Sequence, residues 1–507
     1  MTSPTIRLRC PLVLTLFAFA CASDDRGAEQ SSEETGDPGD GDQGDGDPGD
    51  GDGDPGDGDG DPGDGDGDGD GDGDGDPLCG APETFEAGKT ATAELHVATD
   101  GANAQDCGAA ESPCATIAYA AGLASPGTAV RVHAGTYAGG GYIANLTGTA
   151  AQPIWIGGAP GEARPVIDGG GQAFQLSQAR YVIIHDLEVA NSTQNGINAD
   201  DGGNYDDPDA ARFIVFRDLY IHDVGDGGNQ DCLKLSGIDD YWVLSSEFAR
   251  CGGGGSGSAV DHVGCHHGMI YANHFSELDQ GGNAIQAKGG TADLEIRANR
   301  FVDAGPRAIN MGGSTGFEYF RPPLSADQPN VEARDIRVIA NSFRGGTTPF
   351  AFVGCVDCLA ANNVIANPGN WVFRILQETV TTNEFEFLPA SNGRFINNII
   401  YFDGQIGTAV NVGVNTDPGS FTIATNSWYR HDDPAQSAPP GGLPVSEQGG
   451  IIGEDPLFAD PQNGDFQIDG ASPAAGAGTG LVELSGDLDG LCFHQPPSIG
   501  AHEVVGE

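Results

Sequence analysis

Between about residues 150 and 430 the chain is a succession of short apolar runs separated by Gly-rich turns, and no long helical period interrupts them. Tyr181–Ile184, Phe213–Phe216, Tyr241–Leu244, Met269–Tyr271, Leu294–Ile296 and Ile336–Ile339 have the length and patterning of strands. An asparagine recurs two residues before an apolar residue: Asn273–Phe275, Asn299–Phe301, Asn341–Phe343, Asn362–Val364, Asn397–Ile399 and Asn426–Trp428. Successive gaps are 26, 42, 21, 35 and 29 residues. A period near one coil, with insertions of variable length, predicts a solenoid of stacked β-strands. Asn tolerates the left-handed region and carries an amide that both donates and accepts. Stacked at one corner of successive coils, these residues would pair along the axis, and the residue two on would point into the core.

The segment before the coils reads as a cap. Strand Leu95–Ala98 is followed by Thr99-Asp100-Gly101, a short amphipathic helix around Ala115–Leu123, then Thr128–Val132 and Gly135-Thr136-Tyr137. A helix there would cover the open end of the apolar core, as terminal repeats must. This succession, with Pro153–Gly158 and Pro165–Gly169, resembles the N-terminal cap and first coils of the pectate-lyase-like superfamily of secreted bacterial proteins. Asp455-Pro456-Leu457-Phe458, Gly464-Asp465-Phe466, Ser472-Pro473-Ala474 and Ile499–Glu503 are similar to the tail of those proteins, and read as a closing coil and end cover. The resemblance spans most of residues 90–505. It implies an all-β fold, a right-handed parallel β-helix solenoid with a short N-terminal capping helix. That fold hosts lyases, hydrolases, epimerases and inert surface proteins, so activity must be argued from a site. The expected divisions are a leader (1–21), a tether (22–78), the cap and first coils (79–150), the β-helix (151–450) and the closing segment (451–507).

Composition changes the picture at the N-terminus. Arg7 and Arg9 precede an apolar run, Pro11–Ala20, and then Cys21, the pattern of a secretory signal. The run is too short to span a bilayer as a stable helix. Ala18-Phe19-Ala20-Cys21 resembles a bacterial lipoprotein processing site, although the usual Leu at −3 is missing; it implies a lipid-anchored Cys21, with ordinary cleavage nearby as the alternative. The expected location is the bacterial cell envelope, as an outer-membrane lipoprotein, or outside the cell. Gly36–Pro77 is almost pure Gly-Asp, with 18 Asp and 5 Pro, and cannot bury a core. It reads as a solvated spacer; its Asp-x-Asp-x-Asp-Gly runs lack the closing Glu and flanking helices of a calcium loop.

The chain carries 22 Lys and Arg against 74 Asp and Glu, for a net charge of −52. A broad nucleic-acid surface is therefore excluded, and a monomer is expected. Nine cysteines remain after Cys10 and Cys21, so at least one stays free or pairs elsewhere. Cys107–Cys114 and Cys355–Cys358 are local pairs, and Cys251–Cys265 is a candidate bridge between neighbouring coils. Cys355-x-x-Cys358 has no second pair at zinc spacing.

Candidate chemistry comes from aligning the coils by their turns. Gly227-Gly228-Asn229 leads to Lys234 and Gly281-Gly282-Asn283 to Lys288, each five residues after the Asn. His262 falls between them at spacings of 28 and 26, and Arg307 and Asn310 lie one coil further on. In Leu233-Lys234-Leu235 the leucines should face inward and Lys234 outward; the same parity sends Gln286 and Lys288 outward. His262 has Val260 and Val263 on opposite parities, so its direction stays open. Two lysines two coils apart would lie ~10 Å from each other on one face. Such a face suits uronate lyases, where a neutral base removes the proton α to a carboxylate whose charge is offset by a cation.

Lys234, Lys288, Arg307 and His262 are the catalytic candidates. Gln286, Asn310 and Arg321 are the substrate-binding candidates, the last in an aromatic-rich loop, Gly312–Gln328. Asp223, Asp226, Asp231 and Asp261 are candidate ligands for Ca2+. Gly228-Asn229-Gln230-Asp231 leading to Lys234-Leu235 loosely resembles a segment of family-9 pectate lyases, which implies aspartates on calcium and a lysine base. Lys288 followed by Arg307 resembles the Lys/Arg pair of alginate-lyase and chondroitinase-B β-helices, with a different separation. The bland alternative is that both lysines pair with Asp231, Asp261 or Asp293 on a solvated face. His262, His266 and His267 are a possible metal cluster or a polar turn. Asp200-Asp201 and Asp239-Asp240 resemble the paired aspartates of polygalacturonase-type hydrolases, and are also ordinary turn dipeptides. The leading expectation is a polysaccharide lyase acting on an acidic glycan; the rivals are a non-catalytic glycan-binding surface protein and a hydrolase. So negative a chain repels a polyanion unless calcium, salt or a local basic groove intervenes.

Overall fold

The computed structural model describes residues 79–504 apart from 226–227, 253–255 and 279–280. The leader, Cys21, the Gly-Asp tether and Asp226 lie outside the described residues. Within them the chain winds into a right-handed parallel β-helix built of three long parallel sheets, of 13, 10 and 12 strands. Ala93–Val97 opens the 13-stranded sheet, and helix Ile117–Leu123 follows it. Thr116 caps that helix by accepting the Tyr119 N–H at 3.4 Å. Ile117, Ala120 and Ala121 pack on the core cluster and cover its end.

All six strands legible from apolar runs belong to the 13-stranded sheet: Arg180–His185, Arg212–Arg217, Asp239–Leu244, His266–Tyr271, Thr291–Arg297 and Ala333–Ile339. That sheet has apolar residues on both faces because both are covered. Inside, the core includes a Phe column, Phe248, Phe275, Phe301 and Phe343, stacked at 5.1, 4.9 and 4.6 Å. Outside, Phe85 packs on Tyr181, Phe213 and Trp242 at 5.6, 6.2 and 5.8 Å.

The asparagine corner exists, with a shift at two rungs. The column runs Asn273, Asn299, Asn341, Asn363, Asn398, Asn426, with each side-chain amide donating to the next side-chain carbonyl at 2.9, 3.0, 3.1, 2.9 and 3.0 Å. Each Oδ1 also accepts the backbone N–H of the preceding Asn. Glu447 ends the column by accepting from Asn426 and from Trp428 Nε1, at 3.1 and 3.2 Å. The residue before each rung is the one with positive φ: Ala272, Ala298, Ala340, Asn362, Asn397 and Thr425. Asn362 and Asn397 therefore occupy the left-handed position, which asparagine tolerates, and their neighbours form the rungs. The two make a second, shorter link, Asn397 Nδ2 to Asn362 Oδ1 at 3.0 Å.

The two ends of the folded part meet on the outside. Ile451–Ile452 pairs with Ser427 and Trp428. Beyond it Phe466, Ala474, Leu488, Ile499 and Ala501 pack on Tyr271, Ala298, Val364, Ala366 and Ile399, residues of the 13- and 12-stranded sheets and the corner between them. Cys79 bonds to Cys492, and Arg297 Nη1 donates to the Cys79 carbonyl at 2.9 Å. Cys107–Cys114 and Cys355–Cys358 are bonded. Cys251 pairs with Cys232 and not with Cys265, which is a buried free thiol. The reason is the corner each occupies. Cys251 closes a strand of the 12-stranded sheet and Cys232 precedes one of the 10-stranded sheet, whereas Cys265 lies between the 10- and 13-stranded sheets.

Replacing Asn341 by Ala removes one donor group and one acceptor from a fully buried column and strands their partners. We expect Asn341→Ala to destabilise by about 2–4 kcal/mol. Chemical and thermal unfolding check this; a loss under about 0.5 kcal/mol would show that the column is not holding the corner.

Candidate functional site

Among the described residues, the hydrophobic contacts of the terminal segments go to the 13- and 12-stranded sheets, and not to the outer face of the 10-stranded sheet. On that face one outward row is continuous through the register: Lys234, Asp261, Gln286 and Asn310. Asp261, not His262, is level with Lys234, because the coil between them is 27 residues long and the next is 25. Lys288 is therefore two positions further along its strand than Gln286, the residue level with Lys234 two coils on, and is itself level with Val263 and Ser236. The lysines occupy two neighbouring outward rows and converge from opposite sides on Asp261.

Lys234 Nζ makes an ion pair with Asp261 and lies 3.4 Å from Asp231 Oδ2. Lys288 Nζ is 3.8 Å from Asp261 Oδ1. Both carboxylates are 1% exposed. Asp231 Oδ1 accepts the Ser258 N–H at 2.7 Å, which ties it to the next coil. Two carboxylates and two ammonium groups balance in charge, which is what burial of ions requires. Burial raises the Asp231 carboxyl well above its ordinary range, helped by the charge of Asp261 and opposed by Lys234. For Asp261 burial pulls the same way, but Lys234 and Lys288 prevail and hold it low. Burial disfavours the Lys234 ammonium, and Asp261 and Asp231 more than offset this, so Lys234 is held protonated.

The other expected site residues fall in several places. Gln286 and Asn310 are in the outward row, 8% and 3% exposed. Arg307 Nη1 lies 3.4 Å from Asn310 Oδ1 and 2.8 Å from Glu378, so it reaches the same face. His262 points inward, level with Leu235 and Ala287. Its Nδ1 is 2.9 Å from the Gln286 carbonyl and its ring 5.5 Å from Tyr241, and it has no route to an outer ligand. Burial pushes its pKa down to about 4.

Arg321 is engaged internally: Nε and Nη2 donate to Asp201 at 2.7 and 3.1 Å, and the guanidinium stacks over Tyr205. It pins its loop to a coil, and its backbone N–H donates to the Gly289 carbonyl at 3.1 Å. Asp223 belongs to the 12-stranded sheet, where Arg250 and then His222 hold its pKa at about 2. His266 is held by Asp239 at 2.7 Å and the Gly290 carbonyl at 3.2 Å. Asp200 hydrogen-bonds Ser177 on the outer face while Asp201 turns in to Arg321, so this pair does not form a dyad.

For a divalent cation the local chemistry is a partial fit. Asp231 Oδ2 and Asp261 Oδ1 are buried and face Lys234 and Lys288 at 3.4 and 3.8 Å, so a cation bound there would compete with two ammonium groups. Among the described residues no group of three or more His, Cys, Asp or Glu is arranged to hold a metal. Glu332 and Glu378 were not legible from sequence. Glu332 accepts from Gly289, Thr315 and Thr379, and Glu378 pairs with Arg307 from 71 residues away. Neither has a motif, because each meets its partners only through a long loop.

No family model matches the chain, and no curated protein matches it. Among solved structures it is similar to pectate lyase Pel9A, at 14% identity over 82% of this chain and 98% of that one, with a TM-score of 0.52. The chain has the pectate-lyase-like parallel β-helix fold. It also matches an alginate lyase from Paenibacillus sp. str. FPU-7, at 17% identity over 65% of this chain and 99% of that one, TM-score 0.43. A GH136 lacto-N-biosidase from Eubacterium ramulus matches at 15% identity over 71% and 67%, TM-score 0.45. At such identities the likeness is one of fold alone.

The buried neutral His262 gives a pH test. Its folded pKa lies below the unfolded value of about 6.5, so its contribution is present above that pH and is lost as pH falls toward about 4. We expect the stability difference between wild type and His262→Leu to shrink or reverse across that window, read as unfolding midpoints at stepped pH. Parallel pH curves for the two proteins would contradict it.

Proposed function

We propose that this protein acts on an acidic polysaccharide laid across the outer face of the 10-stranded sheet, and that it cleaves by β-elimination. One observation carries the reading: Lys234 and Lys288, two of 22 basic residues in a strongly acidic chain, converge on Asp261 on the face that the described parts of the terminal segments do not cover. Their surroundings divide the roles. Lys234, held charged by two carboxylates, is the cation that faces the uronate carboxylate, with Arg307 beside it. Lys288, with a single carboxylate contact at 3.8 Å, is the base. It takes the proton from the carbon next to the carboxylate; a carbon–carbon double bond forms as the bond to the glycosidic oxygen breaks, and that oxygen leaves with the electron pair and is then protonated. Gln286 and Asn310 continue the row beneath the lysines and position them and Arg307.

A hard cation such as Ca2+ would be held by Asp231 and Asp261 and would supply further neutralisation of the substrate carboxylate. The leader-like N-terminus and the bonded cysteines support work outside the cytoplasm, where disulfides persist. A rival reading, a non-catalytic glycan-binding protein, is favoured by the same two carboxylates, which hold Lys234 in a structural ion pair.

The test is incubation with pectate, alginate and glycosaminoglycans, with calcium or with chelator, following absorbance of the unsaturated product. Lys288→Ala should lower kcat by at least about 100-fold, and Lys288→Arg should not restore it, because a guanidinium stays protonated. Chelator should lower the rate if Asp231 and Asp261 hold a cation. Absence of unsaturated product on every acidic glycan, with glycan binding intact in Lys288→Ala, would establish the binding reading instead. New reducing ends without the chromophore would establish hydrolysis.

A further inference from the structure

The outward row of the 10-stranded sheet changes chemistry along its length. Its first cation is Lys234; toward the capping helix the next three rungs are Asn198, Gln175 and Tyr142. The amides are half-buried and mutually oriented, with Asn198 Nδ2 donating to Gln175 Oε1 at 2.7 Å. Asp200, on the same face, accepts from Gln175, Asn198 and Ser177. Tyr142 is different: its side chain is 66% exposed, on a sheet where most outward residues are buried or half-buried. A cavity of about 490 Å³ lies against it, lined also by Ala118, Thr136, Gly140 and Phe174.

An exposed aromatic ring offers an apolar face with a polar rim, and amides offer both donors and acceptors. That combination complements a pyranose ring, which has C–H faces and a hydroxyl rim. The charges select further. A uronate placed here would meet Asp200 and no lysine or arginine of the row, whereas three rungs away it meets Lys234 and Lys288.

We infer that Tyr142, Gln175 and Asn198 form a neutral-sugar subsite, so that the glycan is mixed, with an uncharged pyranose at Tyr142 and an acidic one at the lysines. This rests on the reading of the lysine face as the acidic-sugar site. The two positions are three rungs apart, ~14 Å at the spacing of paired strands. A disaccharide at the lysines is too short to reach Tyr142, and a hexasaccharide is long enough.

The experiment is calorimetric binding to a panel of hexasaccharides: all-uronate (galacturonate, mannuronate) and alternating uronate–neutral sugar (hyaluronan and rhamnogalacturonan type), each with its disaccharide. Tyr142→Ala should weaken the mixed hexasaccharide that binds best by about tenfold and leave its disaccharide unchanged. Tyr142→Phe should bind like wild type, because the ring face and not the hydroxyl is used. The exposure of Tyr142 makes misfolding of either variant a poor explanation for a loss. The inference is overturned if Tyr142→Ala binds every member like wild type, if the all-uronate hexamers show the same tenfold loss, or if no mixed oligosaccharide binds. Wild-type binding that depends on Tyr142 without any cleavage sinks the elimination reading alone. Cleavage of mixed glycans that is indifferent to Tyr142→Ala sinks the subsite alone.

Discussion

The corner between the 13- and 12-stranded sheets governs the rest of the molecule. At each coil the chain must reverse direction through one residue in the left-handed region, and the next backbone groups are carried into a dry interior. Left unpaired, they would cost more than the corner could recover. The asparagine amide is small enough to fit and has both a donor and an acceptor. Each one closes on the coil behind and the coil ahead, down to Glu447. With that corner fixed, the register of every sheet follows, because a slip of one residue would turn all inward side chains outward.

That register then determines what the outside of the solenoid can be. Two of the sheets receive the chain's own ends, through Phe85 on one side and Phe466, Leu488 and Ile499 on the other, and Cys79–Cys492 locks the ends together. Among the described residues the 10-stranded sheet receives neither. Its outward row is consequently rich in polar and charged groups, while the covered sheets can afford apolar residues on both faces.

The ionic cluster on the open face is a consequence of vertical alignment. No single coil holds the whole set; Lys234 and Asp231 come from one, Asp261 from the next and Lys288 from the one after. Burial makes each charge costly alone, and mutual contact makes the group tolerable. The result is a site whose proton affinities are pushed apart, Asp231 up and Asp261 down, within one cluster. Such separation is what acid–base chemistry uses, and ion pairs that only stabilise a fold also show it.

The repeat of Asn and apolar residues, the capping helix and the strands of the doubly covered sheet were all legible in the sequence, because each is a local pattern with a fixed period. So was the outward parity of Lys234 and Lys288, since alternation within a strand needs no partner. What the sequence left open depended on coil length and on loops. Asn362 and Asn397 look like rungs, and only the stacked corner shows that the left-handed position takes them and passes the rung to Asn363 and Asn398. The direction of His262 turned on successive coil lengths of 27 and 25 residues, which put Asp261 and not His262 level with Lys234. Arg321 was diverted to Asp201, and Arg307 met Glu378, through segments 120 and 71 residues apart in the chain. Periodicity is written locally and can be read from one strand at a time; contacts between coils depend on the summed length of everything between them, which only the folded chain adds up.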